Sequence, residues 1–251
     1  MQVRTLRAFL CSLTLLAMSA SPAFAVATGG VAAGGSSASG APAPKPAAKP
    51  LHTAPITART PNVAYAGPVY EKSVTGQMVP YTPATPGAVA GGITGGSPVG
   101  TVADTKPELL VPGSTARYVG GLAAAPMSAP AAVQQIIWAG DQIIGLPYIY
   151  GGGHGSFESP GYDCSGTVSF ALHGASLLAA PEDSSEFMVW GSHGVGRWVT
   201  IFSNAGHAYM TVAGLRLDTS AADDPSNQQG PRWRPLRPAN AGFTVRHPLG
   251  L

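Results

Sequence analysis

The sequence predicts an α+β domain in which N-terminal helices pack on an antiparallel sheet. Over about 133–144 and 164–175 the apolar residues recur at helical spacing, whereas after Arg197 they fall into short runs separated by tight turns. All four Trp and five of the seven Phe lie at or after Trp138, so that is where a core has its bulk. Helices followed by strands is the α+β pattern, unlike the alternation that builds a parallel sheet.

The N-terminus carries Arg4 and Arg7, an apolar run from Ala8 to Ala20, and then Ala23-Phe24-Ala25. A basic, an apolar and a small-x-small segment in that order read as a secretory signal peptide over 1–25. The apolar run is shorter than the roughly 20 residues that cross a bilayer, so no membrane span is expected once the signal is removed. The mature protein is expected to be secreted, extracellular or associated with the cell wall. Residues 26–130 hold no Trp, Phe or Cys but 15 of the 24 prolines. So few large apolar groups cannot offset the entropy of ordering the backbone, and a disordered Pro/Ala/Gly-rich linker is expected there, with a short strand within 61–130 as the alternative. One packed domain over 131–251 is left.

Pro130 suits a first helical position, and Val133, Ile136, Ile137, Ile143 and Ile144 follow at helical spacing until Gly145 and Pro147 end the helix. A Gly-rich loop, Gly151-Gly152-Gly153-His154-Gly155, runs on to Tyr162. A second helix is expected with Asp163 as N-cap and Cys164 as its first residue. Cys164, Val168, Ala171, Leu172 and Ala175 then share its inner face. Beyond the Ser/Gly-rich stretch 183–196, strands are expected at 198–202, 207–212 and 215–219, with Ala213-Gly214 as the tight turn between the last two. A final strand is expected at 243–246.

The net charge of +2 conceals a division. Residues 26–130 carry six Lys/Arg and three acids, while 131–251 carry six Arg, no Lys and nine acids. A mildly acidic domain without a basic stripe excludes nucleic-acid binding as its task.

With the signal removed, Cys164 is the one cysteine left, so no disulfide closes within the chain. At a helix N-terminus the unpaired N–H groups and the helix dipole favour a thiolate, the nucleophile that acyl transfer needs. A buried structural cysteine is the alternative. A thiolate needs a general acid and base, usually His. His154 and His193 lie in Gly-rich loops, His173 follows Cys164 on its helix, and His247 precedes Pro248; His207 opens a strand. In a hairpin turning at Ala213-Gly214, His207 faces Ser220 and Tyr209 faces Asp218. Alternation then puts His207, Tyr209, Arg216 and Asp218 on one face, with Asp218 diagonal to His207 at about 7–8 Å between backbones. Asp218 can then orient the imidazole, or instead pair with Arg216 or cap a turn. The Gly-rich loop lacks dinucleotide-binding spacing, and no C-x-x-C or H-E-x-x-H occurs, so neither cofactor nor metal is expected.

Gly145-Leu146-Pro147-Tyr148-Ile149-Tyr150-Gly151-Gly152, Tyr162-Asp163-Cys164-Ser165-Gly166 and Gly206-His207 together resemble the NlpC-type peptidoglycan endopeptidases, small papain-like cysteine peptidases of bacterial walls. The resemblance spans about 132–220. It implies a papain-like NlpC-type domain, with Cys164 as nucleophile, His207 as base and Asp218 in the place of the third catalytic residue. It further implies Tyr148 lining the site near the oxyanion, Asp163 binding the free amine of the stem peptide's first residue, and Ser165 as another substrate contact. The sequence departs from the family where Asp218 stands for the usual His, where Arg197 stands before the first strand in place of Gly-Asp, and in a longer loop from Gly153 to Tyr162. The expected function is hydrolysis of an amide in peptidoglycan stem peptides, between γ-D-Glu and the following diamino acid, by a monomer. An amidase or transpeptidase acting on another wall amide, or a wall-binding module with a degenerate triad, is the alternative.

Overall fold

Two short apolar runs in the Pro-rich half of the chain, Leu109-Leu110-Val111 and Ala123-Ala124-Ala125, are buried strands. The structure, a computed structural model, describes residues 65–82 and 106–251; the expected signal peptide and the stretches 26–64 and 83–105 lie outside them. Strands β1 (Tyr70–Lys72), β2 (Met78–Pro80), β3 (Leu109–Val111), β4 (Arg117–Val119) and β5 (Leu122–Pro126) form one sheet in the order β2-β1-β3-β5-β4. Only β3 and β5 pair in parallel.

The expectation of a disordered linker running to residue 130 is therefore corrected over 65–82 and 106–130, and the folded unit does not begin at 131. The reason is that these strands borrow their bulk from farther along the chain. Strand β5 packs on helix α1 (Ala131–Ile143), Trp138 of that helix donates its indole N–H to the Leu109 carbonyl at 3.0 Å, and the Ala123 N–H donates to buried Asp141 at 2.9 Å. Alanines make a poor core by themselves, but they let a strand approach a helix closely.

Helix α1 buries Val133, Ile136 and Ile137 at helical spacing. It begins one residue later than expected, with Pro130 as its N-cap. Helix α2 (Cys164–Gly174) is capped by Asp163, whose side chain accepts the Gly166 N–H, a contact worth about 1 kcal/mol. Its Val168, Ala171 and Leu172 are fully buried. The two helices meet where Gly174 has no Cβ, since one there would lie 2.3 Å from the Ala139 Cβ. A short helix α3 (Ser184–Phe187), held by a capping box of Asp183 and Glu186, stands in what reads as a Ser/Gly-rich loop.

The second sheet is antiparallel throughout, in the order β10-β9-β8-β7-β11-β6. Its strands are β6 (Ser192–His193), β7 (Val199–Asn204), β8 (His207–Val212), β9 (Leu215–Asp218), β10 (Arg232–Arg234) and β11 (Thr244–His247). Four match expected strands; β6 and β10 do not. Pro231 and Pro235 flank the three residues of β10, which leaves no alternating run long enough to read. Ala208, Met210, Val212, Leu215 and Leu217 face the helices in the main core. Mixed α+β architecture follows from these layers. Among the described residues no helix is long and apolar enough to cross a membrane.

Candidate active site

The β8–β9 hairpin turns at Ala213 (φ 45°) and Gly214 (φ 95°), with Met210 opposite Leu217, Thr211 opposite Arg216 and Val212 opposite Leu215. That register is the expected one, and it leaves Arg216 and Asp218 on the face of His207 and Tyr209. His207 Nε2 donates to Asp218 Oδ1 at 2.9 Å. The other carboxylate oxygen, Oδ2, lies 3.4 Å from Arg216 Nη1, and both of these side chains are fully buried. Oδ1 also accepts the Ser220 N–H at 2.9 Å, so Asp218 meets all three of its expected roles at once, orienting the ring, capping the turn and pairing with Arg216.

The His207 ring is also held sideways. Tyr209 lies 6.0 Å away between ring centroids, and Phe243 approaches edge-on at 6.3 Å. Phe243 precedes β11, and a single Phe in a polar tail carries little sequence signal of such a role.

Cys164 is the first residue of α2, where the Asp163 cap breaks the extended backbone into the helix. Its sulfur is hydrogen-bonded to His207 and to the backbone N–H of Ala208. Burial pushes the thiol up, but those two bonds and the nearby imidazolium charge prevail, leaving it below the ordinary thiol value. In His207, burial favours the neutral ring, yet the bonds to Asp218 and Cys164 raise it to about 9. The opposite shifts favour one state of the pair, thiolate with imidazolium.

A second cluster lies on the first turn of α2. A Cβ on Gly166 would stand 2.1 Å from the Gly152 carbonyl oxygen, and one on Gly153 would stand 2.7 Å from the Tyr162 ring. With no Cβ at these positions the Gly-rich loop rests directly on the helix. It brings His154 to the residues flanking Cys164: His154 Nε2 donates to Asp163 Oδ1 at 3.0 Å and lies 3.2 Å from Ser165 Oγ. Asp163 Oδ1 also accepts the Gly166 N–H at 2.8 Å, and Oδ2 accepts the Gly151 N–H at 3.0 Å. The longer loop does not fold over Cys164 at Phe157, which stacks on His173 near the other end of α2 with centroids 3.7 Å apart.

The expected site residues therefore divide. Cys164, His207 and Asp218 are brought into one hydrogen-bonded line. Tyr148 stands at the rim, 44% exposed, and burial together with the Cys164 and Asp163 charges raises its phenol above the ordinary value. Asp163 and Ser165 are buried and turned towards His154 rather than outwards. Reading His154 as an ordinary loop residue misses its contacts; the signal was there, since four glycines around one imidazole allow a close approach that larger residues forbid. No protein-family model matches the chain, and a search of the curated proteins returns no match.

Proposed function

We propose that this chain is a cysteine peptidase of the papain-like NlpC type, exported to the bacterial wall, that hydrolyses an amide in peptidoglycan stem peptides. The observation that carries the reading is the line Cys164–His207–Asp218, with the thiol shifted down and the imidazole up. A nucleophile at a helix N-terminus, an acid–base imidazole and a carboxylate orienting it are the three parts that acyl transfer uses. The resemblance in the Tyr148, Cys164 and His207 motifs adds the substrate class, and with it the γ-D-Glu–diamino acid bond.

In the reaction the Cys164 thiolate attacks the amide carbon, and the negative charge passes to the carbonyl oxygen. The Cys164 N–H lies in the first turn of α2, among the N–H groups a helix leaves without intrahelical partners, and can donate to that oxygen. The C–N bond breaks as His207 gives its proton to the leaving amine, leaving a thioester on Cys164. Water then attacks the thioester while His207 takes its proton. The C–S bond breaks, the product leaves as a carboxylic acid that gives its proton to solvent, and the thiolate–imidazolium pair is restored. Asp218 stabilises the charged ring throughout and takes no proton.

The test is incubation of the full chain and its Cys164→Ala variant with L-Ala-γ-D-Glu-diaminopimelate, read by mass spectrometry. Release of L-Ala-γ-D-Glu by the wild type alone supports the reading. Equal release by both proteins sinks it, as does a wild type that cleaves neither this peptide nor its N-acetyl form.

A further inference from the structure

We infer that His154 sets the specificity of the subsite beside Cys164, and that this subsite takes a stem peptide with an acylated amino end rather than a free ammonium. This rests on the peptidase reading above and names its substrate class more closely.

The argument starts from Asp163, the acid next to the nucleophile. A carboxylate recognises an ammonium only where an oxygen faces the ligand with lone pairs to spare. Here Oδ1 already accepts from the Gly166 N–H at 2.8 Å and from His154 Nε2 at 3.0 Å, and lies 3.4 Å from the Ser165 hydroxyl. Oδ2 accepts from the Gly151 N–H at 3.0 Å and keeps one lone pair, on a side chain only 9% exposed. Two of these donors are backbone groups fixed by the α2 cap and the Gly-rich loop, so neither can swing aside for a ligand. Among the described residues the one side-chain ion-pair partner of Asp163 is His154, the more exposed of the two at 28% against 9%.

Charge points the same way. If His154 is protonated, it cancels the carboxylate and repels an incoming ammonium. If it is neutral, Nε2 still carries the proton, because a carboxylate only accepts. Nδ1 is then the ring's acceptor, and it suits the N–H of an amide. An amide N–H at that place is what a stem peptide presents while its first residue remains joined to the glycan. The close packing of Gly152 on Gly166 fixes the backbone of the loop that carries His154 against the cap.

The experiment compares kcat/KM of the full chain on L-Ala-γ-D-Glu-diaminopimelate and on its N-acetyl form, for wild type, His154→Ala and His154→Gln. The wild type is expected to cleave the acetylated peptide at least as well as the free one. His154→Ala, which bares Asp163, is expected to move the ratio at least tenfold towards the free amine. His154→Gln keeps an N–H donor for Asp163 and is expected to hold the ratio within threefold of wild type, which separates loss of the donor from loss of the loop's shape. A wild-type preference of tenfold or more for the free amine, or a ratio unmoved in His154→Ala, overturns the inference and leaves the peptidase reading intact. Cleavage of neither peptide by the wild type overturns that reading, and the inference with it.

Discussion

His207 and Asp218 are eleven residues apart in the chain and 2.9 Å apart between Nε2 and Oδ1, joined across a hairpin whose turn, Ala213-Gly214, sets the register. Nε2 being committed to Asp218, Nδ1 is the nitrogen available to the Cys164 thiol. The imidazole is therefore oriented before any substrate arrives. Asp218→Asn should cost about 10²-fold in kcat/KM, against about 10⁴-fold for His207→Ala, because the amide still hydrogen-bonds the ring but supplies no charge. Equal losses in steady-state assays would show that Asp218 does more than orient.

The shifts of Cys164 and His207 predict a bell-shaped pH profile for kcat/KM. The acid limb rises as Cys164 ionises, below the ordinary thiol range, and the alkaline limb falls as His207 loses its proton near 9. Asp218→Asn removes one of the groups raising His207, so its alkaline limb should move to lower pH. A limb that stays in place in that variant would mean that another group titrates there. Alkylation of Cys164 by iodoacetamide should trace the acid limb in the absence of any substrate.

Arg216 is fully buried against Asp218, and its Nη2 donates to the Ala222 carbonyl at 2.7 Å. Without Arg216 the buried Asp218 carboxylate keeps His207 as its one charged partner among the described residues, and its Oδ2 is left buried with no partner. Arg216→Met is therefore expected to cost about 3–5 kcal/mol in urea unfolding. The double variant Arg216→Met/Asp218→Asn should be more stable than the sum of the single losses, by on the order of 1–3 kcal/mol. Strict additivity would show that the two groups do not act as a pair.

Gly166 has the loop backbone where a side chain would begin, with the Gly152 oxygen 2.1 Å from an ideal Cβ. Neither backbone can give way cheaply. Gly166→Ala should lift the Gly-rich loop off α2, lowering both the melting temperature and the rate of Cys164 alkylation. Gly155→Ala, in open space on the same loop, serves as the control and should change neither.

Asp141 ties three elements together, accepting from Ala123 and from the Trp233 indole at 2.7 Å, and burial is the main cause that pushes its carboxyl up to about 8 against these bonds and the Lys106 charge. The folded state then keeps a proton that the unfolded chain has lost. Between about pH 4 and 8 the folded form binds more protons, so this group's contribution to stability falls as pH rises through that window. Asp141→Asn should flatten that part of the Tm-against-pH curve. An identical slope in both proteins would place the titration elsewhere.

Much of this was legible in the sequence because the signals are local. Helical spacing and an Asp N-cap located α2 and put Cys164 at its first residue; alternation and a Gly-containing turn gave the β8–β9 register and thereby the neighbours of His207. Hairpins and caps are decided by residues within a few positions of one another, where propensity and hydrogen bonding act directly. Cys164 at the start of α2, the hairpin and the α+β order of elements all follow from such local signals. Tertiary structure alone decided the rest. Whether Leu109–Val111 and Ala123–Ala125 are strands depends on Trp138 and Asp141 of α1, and composition counted along a window cannot see a partner outside it. Whether Asp163 faces a ligand depends on where a loop of glycines sets His154. Burial and close approach are properties of the packed chain, and they fix which of a residue's possible partners it meets.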